Sequence, residues 1–291
     1  MPGATKLGLV LGGGAARGLA HVGVLAELDR LGLRPDIVTG CSAGALTAAM
    51  YLTRGLEGAA EMACSFPWLR SAFSIGSAGS RGGPLDPNRL VARLQLPDVC
   101  FEDLDRRLGV AATDLGTGRE RWLMKGSLRR AVAASIALPG LFRPVWHDGA
   151  WLADGGLVDP LPVSLCRALG ATNVIAASLG GEPWQRGGPT NPALAPEGAA
   201  VPEQAVRRAC PTYVATVVNA ATIMSEFITR VRIASDPPDV LVLPEPGRVG
   251  LLDFHRGQEA IEAGRAAVRR AEPALESLRR RPAPAAFALA S

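Results

Sequence analysis

The chain has 291 residues, 48% hydrophobic and 20% charged, proportions of an ordinary folded domain that exclude a mainly disordered protein. Lys and Arg outnumber Asp and Glu by 31 to 27, a formal charge of +4, with only short arginine clusters at 129–130, 207–208 and 279–281. These are not interleaved with aromatics, which excludes nucleic acid as a partner and leaves peripheral contact with an anionic membrane surface open.

Residues Leu7–Leu11 form a short apolar run that predicts a buried strand. From about Arg17 to Leu31, apolar residues at Val22, Leu25, Leu28 and Leu31 have helical spacing, and Gly32 supplies the stop. A second strand is expected at 36–39, followed by an Ala-rich helix ending near Gly55. This β-α-β-α order implies parallel strands in one sheet with helices on its faces. Residues 74–88, rich in Gly and Pro, read as loop. Strands at 109–114 and 119–124 flank a Gly-Thr-Gly turn, Ser127 is positioned to cap a helix ending before Pro139, and Asp148-Gly149 predicts a type I′ hairpin within 145–151. A helix closed by Gly170 leads to a strand at 173–178.

Residues 180–202 are dense in Pro and Gly and predict a mobile loop. The helix after it carries Val214, Val217, Val218, Ala221, Met224, Ile228 and Val231 on one face, with Met224 expected in the core. A last strand at 239–243 precedes a long helix capped by Asp253, and the Pro/Ala tail 282–291 should fray. One domain over residues 1–281 is expected. The five cysteines, at 41, 64, 100, 166 and 210, are odd in number and widely spaced, which predicts neither a disulfide framework nor a metal site and places the chain in a reducing, cytoplasmic setting. No stretch reaches the ~18 apolar residues of a membrane span, and the first apolar run is too short for a secretory signal.

Three motifs carry chemistry. Gly12, Gly13 and Gly14 leave a strand and enter a helix, with Arg17 at its start; converging backbone N–H groups there suit an anion, or simply form a tight turn. Neither the dinucleotide pattern nor the P-loop pattern fits, because Arg17, Leu19 and Ala20 occupy their key positions. Gly40-Cys41-Ser42-Ala43-Gly44 is G-x-S-x-G between strand and helix, the setting of a nucleophile elbow, with a structural helix cap as the other reading of Ser42. The third motif is Asp154-Gly155-Gly156 after a hairpin strand. Three histidines are available as a base: His21, His147 and His255. An α/β-hydrolase order Ser42, Asp154, His255 is formally open, but 41 residues before the serine are too few for the strands that fold places there.

Together the glycine loop with Arg17, the G-C-S-A-G elbow and the distal D-G-G resemble the patatin-like phospholipases. So do S-I-A-L-P-G-L-F-R-P-V (135–145), D-G-G-L-V-D-P-L-P-V-S (154–164) and G-L-L-D-F-H-R (250–256), which are similar to bacterial members and to the catalytic domain of neuropathy target esterase. The resemblance covers about residues 6–270. It implies a three-layer α/β/α fold with a mostly parallel central sheet. It further implies a Ser42–Asp154 dyad, an oxyanion hole from the N–H groups of Gly12, Gly13 and Gly14 supported by Arg17, a fatty-acyl ester substrate and no metal or cofactor. Gly40 and Gly44 frame the elbow. Ala15 departs from the family's pattern, where many members carry a further glycine. Phe66, Trp68, Phe73 and Ile75 either line an acyl pocket or belong to the core. The competing functions are hydrolysis of small esters or thioesters away from membranes, and non-catalytic binding of a lipid or partner.

Overall fold

The computed structural model describes residues 5–64, 83, 85–179, 213–245, 247, 249, 250 and 253–280. The candidate mobile loop 180–202, the aromatic group Phe66, Trp68, Phe73 and Ile75, and the tail lie outside the described residues.

Eight strands form one mixed sheet. Parallel pairing joins β3 (Arg107–Asp114), β2 (Ile37–Cys41), β1 (Leu7–Leu11), β7 (Asn173–Ala177) and β8 (Val240–Val242) in that spatial order. The antiparallel strands are β4 (Glu120–Leu123), β5 (Val145–His147) and β6 (Ala150–Asp154). Alternate residues of the parallel strands face opposite layers, as the two-residue pleat requires. Leu9, Leu11, Val38, Ile175 and Ala177 join the larger core with α1 (Ala20–Arg30), α2 (Ala43–Cys64), α4 (Leu128–Ser135) and α7 (Gly257–Arg280). Val10, Ile37, Val174 and Ala176 face a smaller core closed by α5 (Val163–Ala168) and by Ile233 of α6 (Tyr213–Ser235). This is the three-layer α/β/α architecture with a mostly parallel sheet.

One pairing decides where the site forms. Ala112 pairs with both Arg121 of β4 and Asp154 of β6, and Ala111 pairs with both Trp122 of β4 and Cys41 of β2. A strand has two edges, so β4 takes one, while β2 and β6 share the other and meet head to head. The last residue of β6 is thereby set against the residue that follows β2.

Several boundaries differ from expectation. β2 runs on through Gly40 and Cys41, because both are buried and the ladder to β3 continues to the elbow. The Ala-rich helix breaks at Gly55 as expected, through a positive φ of 70°, but a further helical stretch then carries α2 on to Cys64. A short helix, α3 (Pro87–Arg93), begins inside the expected loop, its first turn capped by the Asp86 carboxylate, which accepts from the Asn88 N–H at 2.9 Å. The Asp253 carboxylate does not cap the last helix; it accepts from the Gly250 N–H at 3.0 Å, ahead of a 3₁₀ turn. The type I′ hairpin is present, with positive φ at Asp148 and Gly149.

Candidate active site

β2 delivers the chain to Ser42 in a left-handed conformation (φ 52°) that a residue with a side chain adopts only when its surroundings impose it. The Ser42 N–H donates to Ser135 Oγ at 2.8 Å, and Ser135 donates in turn to the Ala111 carbonyl at 2.7 Å, pinning the elbow to β3 through α4. Gly44 lets α2 start against the glycine loop: a Cβ there would collide with the Leu11 carbonyl.

From β6, Asp154 arrives on the opposite side. Its N–H donates to the Ala137 carbonyl, and its carbonyl accepts from Thr113 Oγ1 at 2.8 Å. Ser42 Oγ donates to Asp154 Oδ2 at 2.6 Å, and Oδ1 accepts from the Gly156 N–H at 2.8 Å. Burial pushes the carboxyl up to about 6, opposed by the hydrogen bonds from Ser42, Gly156 and Cys41. A carboxylate so placed is a stronger base than one in water, and it already accepts a hydrogen bond from the serine hydroxyl.

None of the histidines meets Ser42 in this arrangement. His21 is buried with Nε2 2.8 Å from the Gly12 carbonyl, His147 lies beside Asp148, and His255 is exposed. The Cys41 thiol, next to the serine, is buried and pushed well up by desolvation, which suits packing.

The glycine loop requires a correction. The Gly12 N–H donates to the Ala177 carbonyl at 3.0 Å, extending the β1–β7 ladder, and the Gly13 N–H donates to the Pro160 carbonyl at 2.9 Å. Those two donors are occupied by the scaffold. Among the described residues none accepts from the N–H of Gly14 or Ala15, and both residues line the cavity beside Ser42. Ala15 has φ 49°, a backbone better suited to glycine. The buried Arg17 side chain reaches over the loop, donating to the Leu179 carbonyl at 3.4 Å and pairing with Glu226 at 3.8 Å.

Two cavities meet at Ser42 and Asp154. One carries polar groups of Arg17, Ser178 and the α6 residues Thr222, Ser225, Glu226 and Thr229 beside the glycine loop, set among Leu138, Leu157, Leu179 and Val218. The other is apolar, with Leu46, Met62, Leu90, Leu141, Phe142 and Phe254 among its walls. The expected inner face of α6 is therefore wrong in part. Val218 is buried as expected, but Met224 is 57% and Val231 68% exposed, because the side of the helix turned to the site carries Thr222, Ser225, Glu226 and Thr229 along with Val218 and Ala221.

The sequence model of the patatin-like phospholipases matches residues 9–167, more than half of the chain. The chain belongs to the patatin-like phospholipase family. It is 32% identical over 284 residues to an uncharacterized NTE family protein of Mycobacterium tuberculosis, a match covering 91% of this chain and 46% of the relative. To patatin-like phospholipase domain-containing protein 6 of Mus musculus it is 35% identical over 188 residues, 60% of this chain and 14% of the mouse protein. The chain thus spans about half the length, or less, of these relatives. In fold it is similar to VipD from Legionella pneumophila, with a TM-score of 0.58, 13% identity, and coverage of 95% of this chain and 68% of that one.

The motif residues of this patatin-like chain, Ser42, Asp154, Gly12–Gly14 and Arg17, do converge on one site. Sequence reasoning missed Ser135, which lies in a stretch quoted only for its likeness, and Glu226, the lone acidic residue of α6. A single acid in a helix whose other charged residues are arginines is the signal that points to Glu226.

Proposed function

We propose that the chain is a serine lipid acyl hydrolase that cleaves fatty-acyl esters of the phospholipid or lysophospholipid kind through a Ser42–Asp154 dyad. The observation carrying this reading is the 2.6 Å hydrogen bond from Ser42 Oγ, on a left-handed elbow, to a buried carboxylate. Ser42 Oγ attacks the ester carbonyl carbon as its proton passes to Asp154 Oδ2. The tetrahedral oxyanion faces the N–H groups of Gly14 and Ala15, each such donor contributing about 10²–10³-fold in turnover. Collapse breaks the ester C–O bond, the leaving alcohol takes the proton from Asp154, and an acyl-serine remains. Water then gives a proton to Asp154 and attacks the acyl carbon, releasing the fatty acid and restoring Ser42.

The cavity walled by Leu46, Met62 and Phe142 suits the acyl chain, and the one that also carries Arg17 and Glu226 suits the alcohol side of the ester. Met62→Trp fills the apolar cavity. At roughly 0.8 kcal/mol per buried CH₂, it should lower kcat/KM for long-chain esters by about tenfold or more and leave acetyl and butyryl esters nearly unaffected. A variant with unchanged chain-length preference would remove that cavity from the substrate path.

The direct test is labelling with a fluorescent fluorophosphonate. Wild type should be modified on Ser42, and Ser42→Ala should not. Because the base must be ionised, the labelling rate should rise with pH through about 6 and level off above it. Folded protein that takes no label, with or without detergent micelles, would favour the non-catalytic binding reading.

A further inference from the structure

Helix α6 is amphipathic the wrong way round for a helix of a water-soluble core. Its polar residues Thr222, Ser225, Glu226 and Thr229 line the site, while Ile223, Met224, Phe227 and Val231 are 46–68% exposed on its outer side. A second exposed apolar group stands on the β5–β6 hairpin, where Trp146 and Trp151 pair across the strands in an edge-to-face contact at 5.2 Å, each 52% exposed. Both groups border one face of the sheet. Trp151 shares its side of β6 with Ala153; Ala153 pairs with Thr113, and Thr113 with Glu120. Glu120 is the residue that Arg232 of α6 grips at 2.8 Å. The hairpin also projects past the C-terminal end of β3, the end of the sheet that carries Ser42.

The side chains exposed around the entrance select the occupant. Glu226 is the acid of α6 and is turned inward, while Arg230 lies outside with its guanidinium 5.9 Å from the Phe227 ring centre. Arg130 and Arg143 edge the cleft beside the tryptophan pair. Of the acids in that cleft, Asp86 pairs with Arg89 at 3.8 Å and Asp114 caps the N–H groups of Gly116 and Thr117; Asp148 stands at the hairpin tip. Apolar side chains, tryptophans and arginines around a site entrance fit the boundary of a lipid layer with anionic headgroups. A protein seated on the outer face of α6 would instead stand between the site and its acyl substrate.

We propose that this face, the outer stripe of α6 with the Trp146–Trp151 pair, docks the chain onto an anionic lipid surface so that acyl esters enter beneath α6. The proposal rests on the reading of the site as an acyl-ester hydrolase. Among the described residues no helix is long and apolar enough to cross a membrane, so α6 lies on the surface and does not span it.

The test is co-sedimentation of the full chain with vesicles of phosphatidylcholine alone and of phosphatidylcholine with phosphatidylserine, alongside hydrolysis of a short water-soluble ester. Met224→Ser/Phe227→Ser and Trp146→Ser/Trp151→Ser should each lower binding to the anionic vesicles by about tenfold or more, with soluble-ester hydrolysis and thermal melt unchanged. Arg143→Glu/Arg230→Glu should abolish the preference for anionic over neutral vesicles. Ser42→Ala should bind vesicles like wild type, so that failed chemistry and failed docking are read separately. Wild-type binding by both apolar double variants would overturn the proposal. So would a wild type that ignores vesicles and sediments as a dimer dissociated by those same changes, which would make a second copy the occupant.

Discussion

On the proposed mechanism, Ser42→Ala should remove ester hydrolysis to the level of background, and Asp154→Asn should lower it by about 10²–10⁴-fold, the usual contribution of a positioned general base. Combining the two changes costs little more than Ser42→Ala alone, because nucleophile and base act as one unit. Steady-state kinetics on a soluble ester checks all three variants, and near-wild-type turnover in either single variant excludes the dyad. The same aspartate has an opposite effect on stability. Its carboxyl sits at about 6 in the folded protein against an ordinary 3.8, raised by burial. A raised carboxyl favours the folded state fully below pH ~4 and loses that contribution as pH climbs through about 6. At pH 8 the ionised group therefore costs up to about 3 kcal/mol. Asp154→Asn should melt higher than wild type at pH 8, with the gap closing toward pH 4. A lower melt at pH 8 would mean that the hydrogen bonds from Ser42 and Gly156 outweigh desolvation.

Gly44→Ala is the substitution with the largest expected structural effect. The added methyl would be driven into the Leu11 carbonyl, with the Gly12 carbonyl 2.7 Å away, and neither backbone group is free to move without breaking the β1 ladders. Relief requires α2 to shift away from the glycine loop. We expect a stability loss of roughly 3 kcal/mol or more, on the scale of severe overpacking. Separating the nucleophile from the Gly14 and Ala15 amides should also reduce turnover by at least the value of one oxyanion donor, about 10²-fold. Denaturant unfolding gives the first quantity and kinetics on the surviving folded fraction the second. A fully stable, fully active Gly44→Ala would show that the elbow and the glycine loop do not touch as described.

Much of this arrangement was legible in the sequence because it depends on short-range rules. The strand-glycine-helix transitions at Leu11 and Cys41, the Asp-Gly hairpin and the Ser127 cap each follow from local backbone chemistry. The failures share a different cause. The face of α6 was misread because a helix over a cavity that carries polar groups obeys the same 3.6-residue period as one over a core but turns polar residues inward beside its apolar ones. The Gly12 and Gly13 donors were misassigned because the acceptors that occupy them, Ala177 and Pro160, lie far along the chain. Ser135 escaped for the same reason: a serine near the end of an Ala-rich helix says nothing of the elbow it holds until the fold brings β2 beneath it.

Because β2 and β6 share one edge of β3, the distance between Ser42 and Asp154 is set by two adjacent alanines, Ala111 and Ala112. The 112 positions of chain separating the two residues are then, in principle, free to lengthen or shrink. Extra residues in the turns at 116–118 or 148–149 leave both anchors in place. A single residue added within β6 next to Asp154 slides the strand by one register and turns its carboxylate toward the opposite layer. Variation in the length of these turns should therefore be tolerated, whereas an insertion at Ala111, at Ala112 or beside Asp154 should not.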